Sequence, residues 1–278
     1  MNDVLKDFST PSLVAAIKAN LFEWYDYLGR SPQAERYDSP ELKWVLTGIS
    51  HPFLNNVLRT QWNPDHVDAR IEETLAHFKS RNVTRFSWWT EPGTQPANLG
   101  ERLLAHGLTY SKGGAGMAVD LLALNEDAAF PSGLTVEAVG DEAALEQWVH
   151  PAFIGFGGRD SFGGGDADEK ACFDLFAGLG FDMPLRHYVG WLDGKPVAAS
   201  QLFLGAGVAG IYWVATVPEA RHQGIGGALT LAPLREARAM GYRIGILQAS
   251  SMGEGVYRGL GFQEYCRVSN YVLAGKMK

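Results

Sequence analysis

The feature that most constrains this chain is a single turn. An apolar strand over residues 211–217 runs into Pro218-Glu219-Ala220-Arg221-His222-Gln223-Gly224-Ile225-Gly226-Gly227-Ala228, and a helix follows at once. The start of a helix leaves its first backbone N–H groups without intrahelical acceptors. These donors and the helix dipole favour an anion such as a pyrophosphate. Gly224 and Gly226 carry no side chain that would hold a phosphate away from the backbone. Arg221 and His222 either add positive charge or shape the turn. Gly-x-Gly alone fits an ordinary strand-to-helix connection. The fuller arrangement, Arg-x-x-Gly-x-Gly between an apolar strand and a helix, is more specific. It is not the Gly-x-x-x-x-Gly-Lys-Ser/Thr of a P-loop, nor the Gly-x-Gly-x-x-Gly of a dinucleotide fold.

Around this turn the chain of 278 residues reads as two successive halves. In the first, residues 1–36 are partly helical, with Leu13, Ile17 and Leu21 at four-residue spacing. Residues 43–50 and 53–61 read as a strand pair, 67–81 as a helix, 84–90 as a strand, 99–106 as a helix and 116–122 as a strand. Residues 123–133 form a linker. The second half begins with a strand at 134–139 and a helix at 141–156. A glycine-rich loop at 157–168 and a helix at 168–179 follow. Strands are expected at 186–192, 197–204 and 209–217, a helix at 225–240, a strand at 243–249, a short helix at 253–260 and a last strand at 264–273. Leu103-Leu104-Ala105-His106-Gly107-Leu108 has the layout of Tyr257-Arg258-Gly259-Leu260-Gly261-Phe262, which points to two related units in tandem. Pro233 lies within the helix after the turn. It removes the hydrogen bond to Leu229 and predicts a kink.

Composition narrows the function. The formal charge of -7 suits neither non-specific nucleic-acid binding nor an anionic membrane surface. Residues 196–218 carry no charge, but Gly205-Ala206-Gly207 interrupts them. The β-branched and aromatic arms on either side read as a buried hairpin. The N-terminal segment has no long apolar core. Cys172 and Cys266 form no Cys-x-x-Cys pair and read as free thiols in a reducing cytosol. No metal-ligand spacing and no Gly-x-Ser-x-Gly nucleophile turn is present. A cytoplasmic protein is expected.

Arg221-x-x-Gly224-x-Gly226, with Tyr257-Arg258-Gly259-Leu260-Gly261-Phe262 about a helix and a strand later, resembles the signature of the GNAT N-acetyltransferase family. The resemblance covers residues 134–273 in element order. It implies an α/β fold on a mixed sheet that splays between the strands ending at Val217 and Ala249, with acetyl-CoA in the cleft. Residues 134–278 would be the acetyltransferase domain, and residues 1–130 a degenerate GNAT-like unit without the pyrophosphate loop. The pantetheine would pair with the backbone around Val214, Ala215 and Thr216. The pyrophosphate would sit on the amides of His222, Gln223, Gly224, Ile225, Gly226 and Gly227. Ser250 and Ser251 stand where the family often places a polar contact to CoA, although capping of the loop accounts for them nearly as well.

Acyl transfer from a thioester to an amine needs a neutral amine, a polarised carbonyl and a proton for the leaving thiolate. Tyr257 stands where the family's general acid is found. A backbone N–H near Val214–Thr216 would polarise the carbonyl. Some family members carry a glutamate base on the splayed strand, but Gly210-Ile211-Tyr212-Trp213-Val214 holds no carboxylate. Asp160, Asp166, Asp168, His150 or a water relay would have to serve. The expected function is transfer of acetyl from acetyl-CoA to the primary amine of a small molecule. The alternatives are a non-catalytic acyl-CoA sensor and a tandem-GNAT aminoacyltransferase, the latter opposed by the acidic charge.

Overall fold

Two sheets form from the runs of β-branched and aromatic residues. The computed structural model describes residues 4–49, 51–91, 93–127, 129–158 and 166–274, with only the backbone for Asp166. The first half contributes α1 (Thr10–Leu28), β1 (Glu35–Asp38), β2 (Leu42–Leu46), β3 (Asn55–Thr60), α2 (Val67–Ser80), β4 (Phe86–Trp89), α3 (Leu99–Ala105), β5 (Thr109–Ser111) and β6 (Ala115–Asp120). The second contributes β7 (Leu134–Ala138), α4 (Glu142–Gly155), α5 (Asp166–Ala177), β8 (Leu185–Leu192), β9 (Lys195–Gly205), β10 (Val208–Thr216), α6 (Ile225–Ala239), β11 (Ile244–Ala249), α7 (Glu254–Gly259), β12 (Gln263–Arg267) and β13 (Asn270–Leu273).

One sheet runs β1-β2-β3-β4-β13-β5 and the other β12-β6-β11-β10-β9-β8-β7. Set side by side, β1 to β5 correspond to β8 to β12, so the repeat seen in the sequence is a repeat of topology. The final strand of each half lies in the other half's sheet: β6 between β11 and β12, and β13 between β4 and β5. The single strand expected at 264–273 is therefore two strands in two sheets. The compact units accordingly do not follow a division into 1–130 and 134–278. The larger comprises Met1–Trp24, Gly114–Ser161 and Gly180–Val268, and the smaller comprises Tyr25–Gly113, Phe162–Leu179 and Ser269–Lys278. Most of α1 joins the larger unit and α5 the smaller.

In the smaller unit, Phe78, Phe86 and Trp88 centre the core. In the larger unit, the uncharged run is the β9–β10 hairpin. Ala206 and Gly207 sit at its tip with φ of 48° and 72°, the left-handed pair that two-residue hairpins favour. No helix among the described residues is long and apolar enough to cross a membrane. Helix α6 covers one face of this sheet, where Ser200 and Tyr188 point. It runs through Pro233 as one element. The carbonyl of Leu229, which the proline deprives of its helical donor, accepts a hydrogen bond from Ser200 Oγ at 2.7 Å. Helices α1 and α4 cover the other face, through Asn20, Trp24 and Trp148.

The 123–133 segment is tied down within the larger unit. Glu126 bridges Arg235 and Arg238 of α6, each at 2.7 Å, and Asn125 Nδ2 donates to the Gly259 carbonyl at 2.9 Å. Phe130 packs against the core.

Strand β13 pairs on both sides, with β4 and with β5. A chain ending at Val268 should therefore lose the smaller unit's cooperative structure. Near-ultraviolet circular dichroism should show Trp44, Trp62, Trp88 and Trp89 leaving their fixed environment. An unchanged spectrum and melting curve would contradict this topology.

Candidate acyl-CoA site

The site begins where two strands part. Strands β10 and β11 run parallel and pair at Ala209↔Gly245, Gly210↔Ile246 and Ile211↔Leu247, and no further. Beyond that point β11 stays with β6, while β10 stays with β9. A bulge then inserts one extra residue into β10 between Tyr212 and Ala215. Trp213 lies in it with φ of 52°, and the bulge puts the side chains of Tyr212 and Trp213 on the same face. Both rings are buried, where simple alternation would have sent one to each face.

Past the bulge the strand is regular again, and the Val217 N–H donates to the Val197 carbonyl of β9 at 2.9 Å. By strand alternation, the peptide groups of Val214 and Thr216 point away from β9, into the gap. Ala215 points to α4, where a Cβ on Gly155 would come within 2.6 Å of its methyl group. Glycine at 155 thus lets the end of α4 lie directly on the strand.

Arg221 closes this corner. Its Nε donates to the Thr216 carbonyl and its Nη2 to the Gly155 carbonyl, each at 3.1 Å. Of its two possible roles, shaping the turn is the one seen. The gap-facing groups left are the Val214 peptide N–H and C=O and the Thr216 N–H.

The turn itself presents a row of donors. Among the described residues, the backbone N–H groups of His222, Gln223, Gly224, Ile225 and Gly226 have no acceptor, whereas Gly227 and Ala228 donate to the Gly224 carbonyl. His222, Gln223 and Gly224 are exposed, and Ile225 is anchored in the core. Together with the α6 dipole, equivalent to roughly half a positive charge, these groups form an anion cradle.

The two glycines differ in what requires them. Gly224 has φ of 80°, and a Cβ there would meet the Ala129 carbonyl at 2.7 Å, so the fold itself demands glycine. At Gly226 a Cβ would meet nothing closer than Val214 Cγ1 at 3.9 Å and Thr216 Oγ1 at 4.0 Å. The protein's own packing does not need glycine there. The vacant volume faces the strand edge that carries the unused peptide groups.

Helix α7 borders the same corner, with Val256 and Leu260 beside Gly227. Tyr257 is buried, its ring against Phe262 at 6.0 Å and over Gly253, and among the described residues its hydroxyl makes no hydrogen bond. Burial pushes its phenol up to about 12, so it stays protonated at neutral pH. Ser250 is spent on the turn into α7: its carbonyl accepts from Gly253 and Glu254, and its Oγ from Gly253. Ser251 is exposed.

Of the acids considered as a base, Asp160 and the Asp166 side chain lie outside the described residues. Asp168 belongs to α5 of the smaller unit, and His150 is on the exposed face of α4. No group among the described residues could hold a metal ion.

The smaller unit shows the same construction with the gap filled. Strands β3 and β4 pair in parallel only at Asn56↔Ser87 and Val57↔Trp88. Beyond them, the Gln95 N–H donates to the Thr60 carbonyl at 3.2 Å and the Trp62 N–H to the Gln95 carbonyl at 3.1 Å. Gln61 Nε2 adds a bond to the Gly93 carbonyl at 2.8 Å. A carbonyl and the N–H two residues later, the pattern left open at Val214 and Thr216, are here satisfied by the chain's own peptide. The helix that follows starts from Asn63-Pro64-Asp65, with no glycine turn.

Residues 206–265 match the family model described as an acetyltransferase (GNAT) domain. No curated protein sequence matches the chain. Among solved structures, it resembles a GCN5-related N-acetyltransferase from Kribbella flavida, with a TM-score of 0.63 and 19% identity over 91% of this chain and 94% of that one. A functionally unknown conserved protein from Staphylococcus epidermidis ATCC 12228 gives 0.60 and 14%, over 86% and 93%. A tandem GNAT protein from the clavulanic acid biosynthesis pathway gives 0.52 and 14%, over 91% and 94%. The chain thus has the GNAT fold in two tandem units, and the stretch that matches the GNAT domain model lies within its second half.

Proposed function

We propose that this chain transfers the acetyl group of acetyl-CoA to the primary amine of a small molecule. The observation that carries the reading is the row of main-chain donors from His222 to Gly226 beside an unpaired strand edge. That pairing of features suits a ligand with a diphosphate at one end and peptide-like amides along its length. CoA has both. Its thioester supplies the acetyl group and a leaving thiolate.

The residues then divide the work. His222 to Gly226 hold the diphosphate through backbone N–H groups and the dipole of α6, while the Gly227 N–H, expected to join them, is spent on the Gly224 carbonyl. The Val214 and Thr216 peptide groups align the pantetheine, and an N–H of that edge polarises the thioester carbonyl. The amine nitrogen attacks the carbonyl carbon and the carbon–sulfur bond breaks. Tyr257 gives its proton to the sulfur. The proton shed by the amine passes to water, which returns one to the tyrosine. Neither nucleic acid nor a membrane is required, and the setting is cytoplasmic.

A second reading, a sensor that binds acyl-CoA without turnover, draws on the absence of a carboxylate from β10. Tyr257→Phe separates the two. On the transferase reading, acetyl-CoA affinity stays within about twofold while kcat drops by roughly 10²-fold or more. In the unmodified enzyme the rate should rise with pH as the amine loses its proton. It should show no falling limb below about pH 10, because Tyr257 remains protonated. Thiol release that is absent across an amine panel, or equal in the phenylalanine variant, would overturn the catalytic role.

Binding is tested apart from turnover. Gly226→Val should leave melting within the shift of about 1 kcal/mol, since a helical glycine is replaced where nothing is crowded. Acetyl-CoA affinity should fall by more than about tenfold, as the side chain fills the cradle. Calorimetry on the unmodified chain should give one acetyl-CoA per chain, because Gln95 fills the other gap. Two equivalent sites, or unaltered affinity in Gly226→Val, would contradict the assignment.

A further inference from the structure

Helix α1 comes from the other end of the chain, yet it grips β10 at the bulge. Asn20 lies flat on the hairpin. Its Nδ2 donates to the Gly205 carbonyl at 2.8 Å, with the Phe203 and Val208 carbonyls at 3.4 Å. Its Oδ1 accepts from the Tyr212 hydroxyl at 2.6 Å. A Cβ on Gly210 would come within 2.1 Å of that oxygen, so this close approach needs glycine in the strand. One turn further along α1, Trp24 stacks on the Tyr212 ring, with centroids 4.8 Å apart and planes 9° from parallel. Its Nε1 donates to Gln201 Oε1 at 3.2 Å.

Tyr212 is the last residue before the ladder shifts, and Trp213 follows with φ of 52°. A bulky non-glycine residue holds that conformation only where its surroundings over-determine it, and such residues cluster at functional sites. Here Asn20 and Trp24 lock the residue before it. Trp148 and Phe156 hold the Trp213 ring itself, at 5.8 and 5.0 Å. What the bulge re-aims is the next stretch of main chain, Val214 to Thr216.

We propose that Asn20 and Tyr212 are positioning residues of the acyl-CoA site: their hydrogen bond sets the bulge that aims the Val214 and Thr216 peptide groups at the ligand, though neither side chain touches it. The inference rests on the reading of the site given above. It makes the N-terminal helix part of the binding machinery for the pantetheine arm, and for that arm alone. The diphosphate cradle is built from α6 and the preceding turn, without Asn20 or Tyr212.

That division gives the test. Tyr212→Phe removes one oxygen and keeps the stacked ring. Two ligands are titrated by calorimetry: acetyl-CoA, and adenosine 3′-phosphate 5′-diphosphate, which carries the diphosphate but no pantetheine. The expected result is an affinity for acetyl-CoA lower by about five- to tenfold, as for one lost buried hydrogen bond. Affinity for the nucleotide should stay within about twofold, and KM should rise for acetyl-CoA but not for the amine. Asn20→Leu with Tyr212→Phe should cost less than the sum of the two single changes, because both break the bond that the two side chains share. If that pair fails to fold, the single variant decides. Equal losses for both ligands, or none, would overturn the proposal. If the unmodified chain binds neither ligand, the reading of the site itself is wrong; if it binds both and only the variant result disagrees, the positioning role alone is wrong.

Discussion

The larger unit depends on a hydrogen-bond ladder that stops early. Strands β10 and β11 share three register positions and then separate, each kept in place by its other neighbour. Continued pairing would have closed the sheet and used up the peptide groups of Val214 and Thr216. Because it stops, a polar strand edge runs beside the N-terminus of α6. An edge and a turn placed like this suit an occupant that offers amides to the one and negative charge to the other.

The smaller unit shows what completes such an edge. Its sheet parts in the same place, and Gln95 supplies the missing peptide from the same chain. One architecture has thus been used in two ways, closed by its own backbone in one unit and left open in the other. The exchange of final strands, β6 for β13, ties the two halves together through sheet pairing on both sides of each strand.

Much of this was legible in the sequence because it is local. The turn from Arg221 to Gly226, the hairpin at Ala206-Gly207 and the order of helices and strands follow from glycine placement and apolar patterning. Three things were not legible, and each is non-local. The break between Arg267 and Asn270 sends successive strands to different sheets, which only tertiary pairing decides. The donor that replaces the one Pro233 denies to the Leu229 carbonyl is Ser200, a residue from β9. The bulge at Trp213 carries no local signal, since an aromatic residue is a poor predictor of positive φ. Strands β1 and β5 are short and largely exposed, so they lack the alternation that would reveal them. Asn20 did leave a trace: it sits on the apolar face of α1 with Ile17, Leu21 and Trp24, where a polar residue needs a partner.

The central claim is that free main-chain amides, rather than basic side chains, hold the ligand. Amide hydrogen exchange with and without acetyl-CoA addresses it directly. The account predicts that the ligand slows exchange at His222 to Gly226 and at Thr216, with little change at Gln95 and Trp62 in the filled gap. Protection confined to other segments, or absent at a saturating ligand concentration, would contradict it.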